Sequence, residues 1–185
     1  FQSHWRALGA ACPWGTMYQD VPFVTIWYAC YRDEFEPLVV SDADDAGVLR
    51  GLLFLAVSRA SGRIVPCGMA QAEYDVWLAT PDHGMAFIEA ACEALSGPFP
   101  HGRIAFLFLP PNAPQAFSAA WRTRCFIRPF YRPLHSTAPG CGEAQASLKK
   151  KGNKSKLNQL QRQGDLQFER VTEPQAFDAL LEEMI

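Results

Sequence analysis

Leu49-Arg50-Gly51-Leu52-Leu53-Phe54-Leu55-Ala56-Val57-Ser58 is the stretch on which the fold turns. Its apolar run, Gly51 to Val57, has the length of a strand and falls well short of the roughly 18 uncharged residues a membrane span needs. The other long apolar run, Ile104 to Leu109, is equally short, so no membrane span is expected. Just upstream, Glu36 to Ser41 reads as a strand. Asp42-Ala43-Asp44-Asp45-Ala46-Gly47 between the two is hairpin-loop chemistry. Downstream, Arg63 to Cys67 reads as a third strand after the Ser61-Gly62 turn, and Tyr74 to Ala79 as a fourth. Two amphipathic helices come before this meander. His4 to Ala11 is the shorter. In the second, Asp20 caps, Pro22 suits an early helical position, and Phe23, Ile26, Trp27, Cys30 and Tyr31 follow at helical spacing.

After the fourth strand the period changes. Asp82 is expected to cap a helix carrying Met85, Ile88, Ala91, Cys92 and Leu95, which closes at Gly97-Pro98. Arg103 to Leu109 then reads as a strand covered on both faces. Pro110-Pro111-Asn112 breaks it, a helix from Pro114 to Trp121 follows, and Thr123 to Leu134 is extended. Thr137 to Gly142 reads as a linker. Glu143 to Gln163 is polar and helical in propensity, interrupted by Gly152 and stopped by Gly164. Leu166 to Val171 reads as a strand, and Glu173-Pro174 opens a last helix with Phe177, Leu180 and Leu181. The order predicts an α/β (α+β) fold with a mixed, partly antiparallel sheet flanked by helices. Residues 1–136 form a first lobe. Residues 137–185 hold the linker, a basic helix and the start of a second lobe.

Composition narrows the class. The chain has 185 residues, 49% hydrophobic and 12% aromatic, which excludes a disordered protein. The net charge of −2 hides an asymmetry. Ser147 to Arg170 carries seven basic and two acidic residues, a local +5, and the remainder carries ten basic and seventeen acidic, −7. Such a block suggests an element with its own task. The six cysteines are Cys12, Cys30, Cys67, Cys92, Cys125 and Cys141, and no two stand two to four apart. That spacing gives neither a zinc ribbon nor a redox motif. Several lie in apolar segments and read as buried free thiols, and no signal peptide is visible, so a cytoplasmic location is expected. His4, His83, His101 and His135 lack metal-ligand spacing, and no metal is expected. The chain opens on Phe1 and closes at Ile185 within a helical pattern, so it is expected to be part of a longer protein.

Two groups of residues carry candidate chemistry. Glu73, Tyr74 and Asp75 place two carboxylates around a phenol at a strand start. They read either as a general base or polar-acceptor site, or as a loop with Tyr74 packed inside. Lys149, Lys150, Lys151, Lys154 and Lys156, with Asn153 and Asn158 beside them, read either as an anion grip or as a solvated helix face. Sequence-specific nucleic-acid binding fits less well, since no aromatic is interleaved between Leu148 and Gln167.

The element order resembles the GNAT acyltransferase superfamily, where two helices precede an antiparallel meander and a later helix, strand and helix complete the sheet. Leu107-Phe108-Leu109-Pro110-Pro111-Asn112-Ala113 followed by Ala116-Phe117 is similar to that superfamily's later strand, asparagine and helix. Phe1-Gln2-Ser3-His4-Trp5, Gly51-Leu52-Leu53-Phe54-Leu55 and Ala72-Glu73-Tyr74-Asp75-Val76-Trp77-Leu78 resemble the cellulose-biosynthesis or BioF2-like acetyltransferase branch. That branch is similar to FemAB-type ligases, with two GNAT-like lobes in tandem joined by a polar helical segment like Ser147 to Asn158. The resemblance covers nearly the whole chain. It implies an enzyme moving an acyl group from acetyl-CoA or another acyl-CoA to a small-molecule or sugar amine. It also implies an acidic–aromatic pair at Glu73, Tyr74 and Asp75, while the anion site at Lys149, Lys150, Lys151, Lys154 and Asn158 is read from the charge run itself.

The superfamily holds the CoA pyrophosphate in a Gln/Arg-x-x-Gly-x-Gly/Ala loop at a helix N-terminus. The equivalent junction, Thr80-Pro81-Asp82-His83-Gly84-Met85, has one glycine, lacks a donor at Pro81 and carries a carboxylate at Asp82. The lobe therefore reads as the non-CoA-binding one. Arg6-Ala7-Leu8-Gly9-Ala10-Ala11 matches the string, but it lies in the first helix with no strand before it. Two alternatives stay open: a FemAB-like ligase using aminoacyl-tRNA, and a non-catalytic interaction module on a degenerate acyltransferase fold.

Overall fold

A computed structural model describes residues 1–130, 146, 149–165, 167 and 170–184. Strand β2 (Leu49–Ser58) is buried from Gly51 through Ala56, as its unbroken apolar sequence requires. On one edge it pairs with β1 (Phe35–Ala43), from Phe35 opposite Ser58 to Asp42 opposite Gly51. On the other edge it pairs with two short strands. β3 (Ile64–Pro66) lies opposite Leu55 to Val57, and β4 (Leu78–Ala79) opposite Gly51 and Leu52. Every pairing is antiparallel, and the four strands form one sheet. The hairpin loop is fixed by the side chain of Asp44, whose Oδ1 accepts the N–H groups of Ala46 and Val48 at 3.0 and 2.9 Å. Gly47 completes the turn at φ +77°, where glycine carries no steric penalty.

Helices cover both faces, giving the mixed α/β class that the element order predicts. Helix α1 (Gln2–Ala11) sets Trp5 against Phe54 with ring centroids 4.4 Å apart. Helix α2 (Val21–Cys30) begins with Pro22 in its first turn and buries Val24 and Trp27. Helix α3 (Gly84–Ser96) covers the opposite face with Phe87, Ile88, Ala91 and Leu95. Phe87 lies so close to Gly51 that a Cβ there would stand 2.2 Å from its ring. Four indole N–H groups tie this core to its loops. Trp5 donates to Gln19 O, Trp14 to Trp77 O, Trp77 to Gly84 O and Trp27 to Gln71 Oε1, at 2.8, 2.8, 2.9 and 3.3 Å.

Several expected elements change. The strand expected from Tyr74 shortens to Leu78–Ala79. Arg103 to Leu109 is not a strand. It shares one backbone bond with its neighbour, Asp75 N–H to Leu107 O at 3.0 Å. The N–H of Leu107 is taken by the Asp75 carboxylate at 2.9 Å, and Phe108 turns into the left-handed region at φ +55°. A side chain thus replaces the ladder. The helix expected from Pro114 shrinks to α4 (Ala119–Arg122), and α3 is preceded by His83 at its N-cap position rather than Asp82, with no side-chain cap bond.

The chain divides into two compact units, Phe1–Phe130 and Tyr131–Ile185. The expected lobe boundary at 136/137 and the linker at Thr137 to Gly142 lie outside the described residues. In the second unit α5 (Lys151–Gln161) starts one residue before Gly152, which therefore sits in its first turn. Helix α6 (Pro174–Met184) starts at the expected Pro174. No strand occurs among the described residues of 166–171, and none of this unit's residues with described side chains is buried. Among the described residues, no helix is long and apolar enough to cross a membrane.

Candidate functional site

Asp75 sits where the chain enters β4. Gln19 fixes this approach: its amide donates to Tyr74 O at 3.1 Å, and the Gln19 side chain is itself oriented by Thr16, whose hydroxyl donates to Oε1 at 2.7 Å. Asp75 is 3% exposed. Its backbone N–H and its Oδ2 both engage Leu107, so the 104–109 segment is held against it by two hydrogen bonds. Its Oδ1 is buried and has no hydrogen-bond partner among the described residues. A buried unpaired carboxylate oxygen is costly, which makes it informative. Burial pushes the Asp75 carboxyl up to about 6, against the lowering effect of the Leu107 N–H.

Two further titratable groups follow in series, Cys67 interacting with Asp75 and Tyr28 with Cys67. Cys67 is buried, and its backbone N–H donates to Phe54 O at 3.0 Å. Burial pushes its thiol up to about 12, the Tyr28 hydrogen bond pulls it down, and the Asp75 charge raises it further. The phenol of Tyr28 donates to Leu55 O at 2.7 Å. Burial also raises the Tyr28 phenol, with Cys67 the next cause. Near neutral pH the thiol and phenol are therefore protonated, and Asp75 alone of the three changes charge close to neutrality. A group with that property suits proton transfer.

The sequence-selected residues are divided between the two units. In the first, Glu73 is exposed, Tyr74 is half-buried, and Asp75 is the buried member. In the second, Lys149, Lys150, Lys151, Lys154 and Asn158 are all exposed. Lys151, Lys154 and Asn158 fall at i, i+3 and i+7 of α5 and share a face, with Lys150 at the start of the same stripe.

The helix start that would cradle a phosphate is already occupied by protein groups. His83 Nε2 meets Asp42 Oδ2 at 2.6 Å, and Arg50 meets the same oxygen at 3.1 Å. A Cβ on Gly84 would stand 2.7 Å from the Trp14 ring. Asn112, in the segment after 104–109, gives its amide to Pro13 O. Arg6 and Gly9 belong to α1 and line a surface cavity of about 320 Å³ with Asp20 and Val21, away from any strand-to-helix loop.

Sequence reasoning did not find Cys67 beside Asp75, Tyr28 beside Cys67, or the Asp42–His83 contact. Each pairing joins residues far apart in the chain that no motif spacing marks. Among the described residues, no cluster of three or more His, Cys, Asp or Glu side chains is arranged for a metal. No family model, curated protein or solved structure matches the chain.

Proposed function

We propose that this chain is the acceptor-side lobe of a GNAT-type N-acyltransferase, with Asp75 as the proton acceptor. The observation that carries the reading is the buried Oδ1 of Asp75, unpaired among the described residues, in the seam between the approach to β4 and the 104–109 segment. The order of two helices, antiparallel meander and helix supports the same reading. In the reaction, an amine nitrogen of a small molecule or sugar attacks the thioester carbonyl carbon of acyl-CoA. The C–N bond forms, the C–S bond breaks and CoA leaves as the thiolate. The amine proton passes to Asp75 Oδ1, which must be ionised, so the rate rises with pH through about 6.

The division of labour rests on the α3 start. Asp42 and Asp82 place negative charge there, and Trp14 and His83 fill it. A separate lobe would then bind the CoA pyrophosphate. Calorimetric titration of the 185-residue chain with acetyl-CoA tests this: no tight binding is expected, and tight binding contradicts it. The basic stripe of α5 favours a second reading, a FemAB-like ligase that takes aminoacyl-tRNA. Filter binding with tRNA over a salt series separates the two, since absence of retention at low salt rejects the ligase.

A further inference from the structure

The surface cavity of about 320 Å³ lies between α1 and the start of α2. Trp5, Arg6 and Gly9 line it from α1, and Asp20, Val21 and Pro22 line it from the other side. Arg6 and Gly9 stand three residues apart on α1 and share a face, about 5–6 Å from each other at their Cβ positions. Asp20 reaches over that face. A Cβ added to Gly9 would stand 3.9 Å from Asp20 Oδ1, so glycine leaves open space in front of the carboxylate. Trp5 is buried beneath, its indole N–H spent on Gln19 O at 2.8 Å, and presents only apolar surface to the cavity.

The charges of this cavity are unspent. Asp20 holds the N-cap position of α2, where a carboxylate usually accepts an N–H of the first turn, yet its side chain makes no such bond. The second helical residue is Pro22, which has no N–H to give. The Asp20 carboxylate lines the cavity instead, opposite Arg6. Among the described residues, neither side chain has a hydrogen-bond or ion-pair partner. Two opposite charges thus face one small cavity without meeting each other. A lone anion drawn to Arg6 would be repelled by Asp20, and a lone cation drawn to Asp20 would be repelled by Arg6. A molecule that carries both charges a short distance apart satisfies both walls.

We propose that the cavity between Arg6 and Asp20 binds a small free α-amino acid. Its ammonium donates to the Asp20 carboxylate, and its carboxylate accepts from the Arg6 guanidinium. An α-amino acid holds its two charges on one carbon, which suits walls set about one helical turn apart. The volume is at the low end of small-molecule sites, which run from about 300 to 1,000 Å³, so a short aliphatic side chain fits against Trp5, Val21 and Pro22. Both charged walls are exposed to water, which keeps the affinity in the millimolar range. The site uses no group of the Asp75 seam and stands independently of the acyltransferase reading.

The test is an NMR titration of the nitrogen-15-labelled 185-residue chain with L-alanine. Saturable shifts are expected at the amides of Arg6, Gly9 and Val21. N-acetyl-L-alanine, which lacks the ammonium, and L-alaninamide, which lacks the carboxylate, should each bind about tenfold more weakly or worse. Asp20→Asn and Arg6→Gln should weaken alanine binding by a similar factor. Both replace exposed side chains without partners among the described residues, so the rest of the amide spectrum should stay that of the folded wild type. The proposal is overturned if the wild type shows no saturable shifts up to about 50 mM alanine, or shows them only away from this cavity. Equal binding of either single-charge analogue, or an unchanged alanine affinity in either variant, overturns it as well.

Discussion

Asp75 and Asp42 are two carboxylates beside the same sheet, held in opposite ways. Asp42 is about a third exposed and gives one oxygen to both His83 and Arg50. Asp75 is buried, accepts a single backbone N–H and keeps Oδ1 without a partner among the described residues. The contrast separates two uses of a charge. A solvated carboxylate with a guanidinium and an imidazole beside it ties β1 to the start of α3 and is spent on structure. A buried carboxylate with too few partners costs stability, and a fold retains such a cost where the group has work to do.

The largest expected effect breaks this contrast at its functional end. On the proposed acyltransferase reading, Asp75→Asn should lower acyl transfer by about 10²–10⁴-fold, the usual span for losing a general base. Release of the CoA thiol measures it. Asp42→Asn should leave that rate within a few-fold, and equal losses in the two variants would erase the distinction.

The second prediction concerns pH. The folded Asp75 carboxyl sits near 6 against an ordinary 3.8, so the folded state holds its proton more tightly than the unfolded chain. Stability from this group is therefore fully present below about pH 4 and is lost as pH rises to about 6. The span is up to about 3 kcal/mol at about 1.4 kcal/mol per unit. Denaturant unfolding of the wild type and Asp75→Asn across that window measures it, and the variant should lack this component of the slope.

The sheet that positions both carboxylates can itself be displaced. Gly51→Ala drives a methyl into Phe87 and should cost about 1–3 kcal/mol, read as a lower denaturation midpoint. The smallest effect belongs to the solvated corner. Arg50→Ala, which removes the guanidinium from Asp42, should cost no more than about 1 kcal/mol and less at high salt. A larger, salt-independent loss would show that the Asp42 corner carries more than a surface ion pair.

The same contrast explains what was legible in the sequence. The Leu49–Ser58 strand, the Asp44 hairpin loop, the Pro22 helix start and the Pro174 helix start are written in local chemistry, and each stands where expected. Arg103 to Leu109 has the composition of a strand, yet its ladder is replaced by the side chain of Asp75, 32 positions before Leu107. No local pattern carries that information. The residue before α3 is His83, whose imidazole meets Asp42 of β1, a contact that no local pattern marks. Asp75 was legible as a residue type within Glu73-Tyr74-Asp75. Its burial and its Cys67 neighbour arise only from tertiary packing.

The central claim is that Asp75 is an underpartnered buried carboxyl poised near neutrality. A carbon-13 NMR titration of its side-chain carboxyl in the 185-residue chain measures this directly. The account predicts a midpoint near 6. A midpoint at the ordinary aspartate value, close to 3.8, would contradict it.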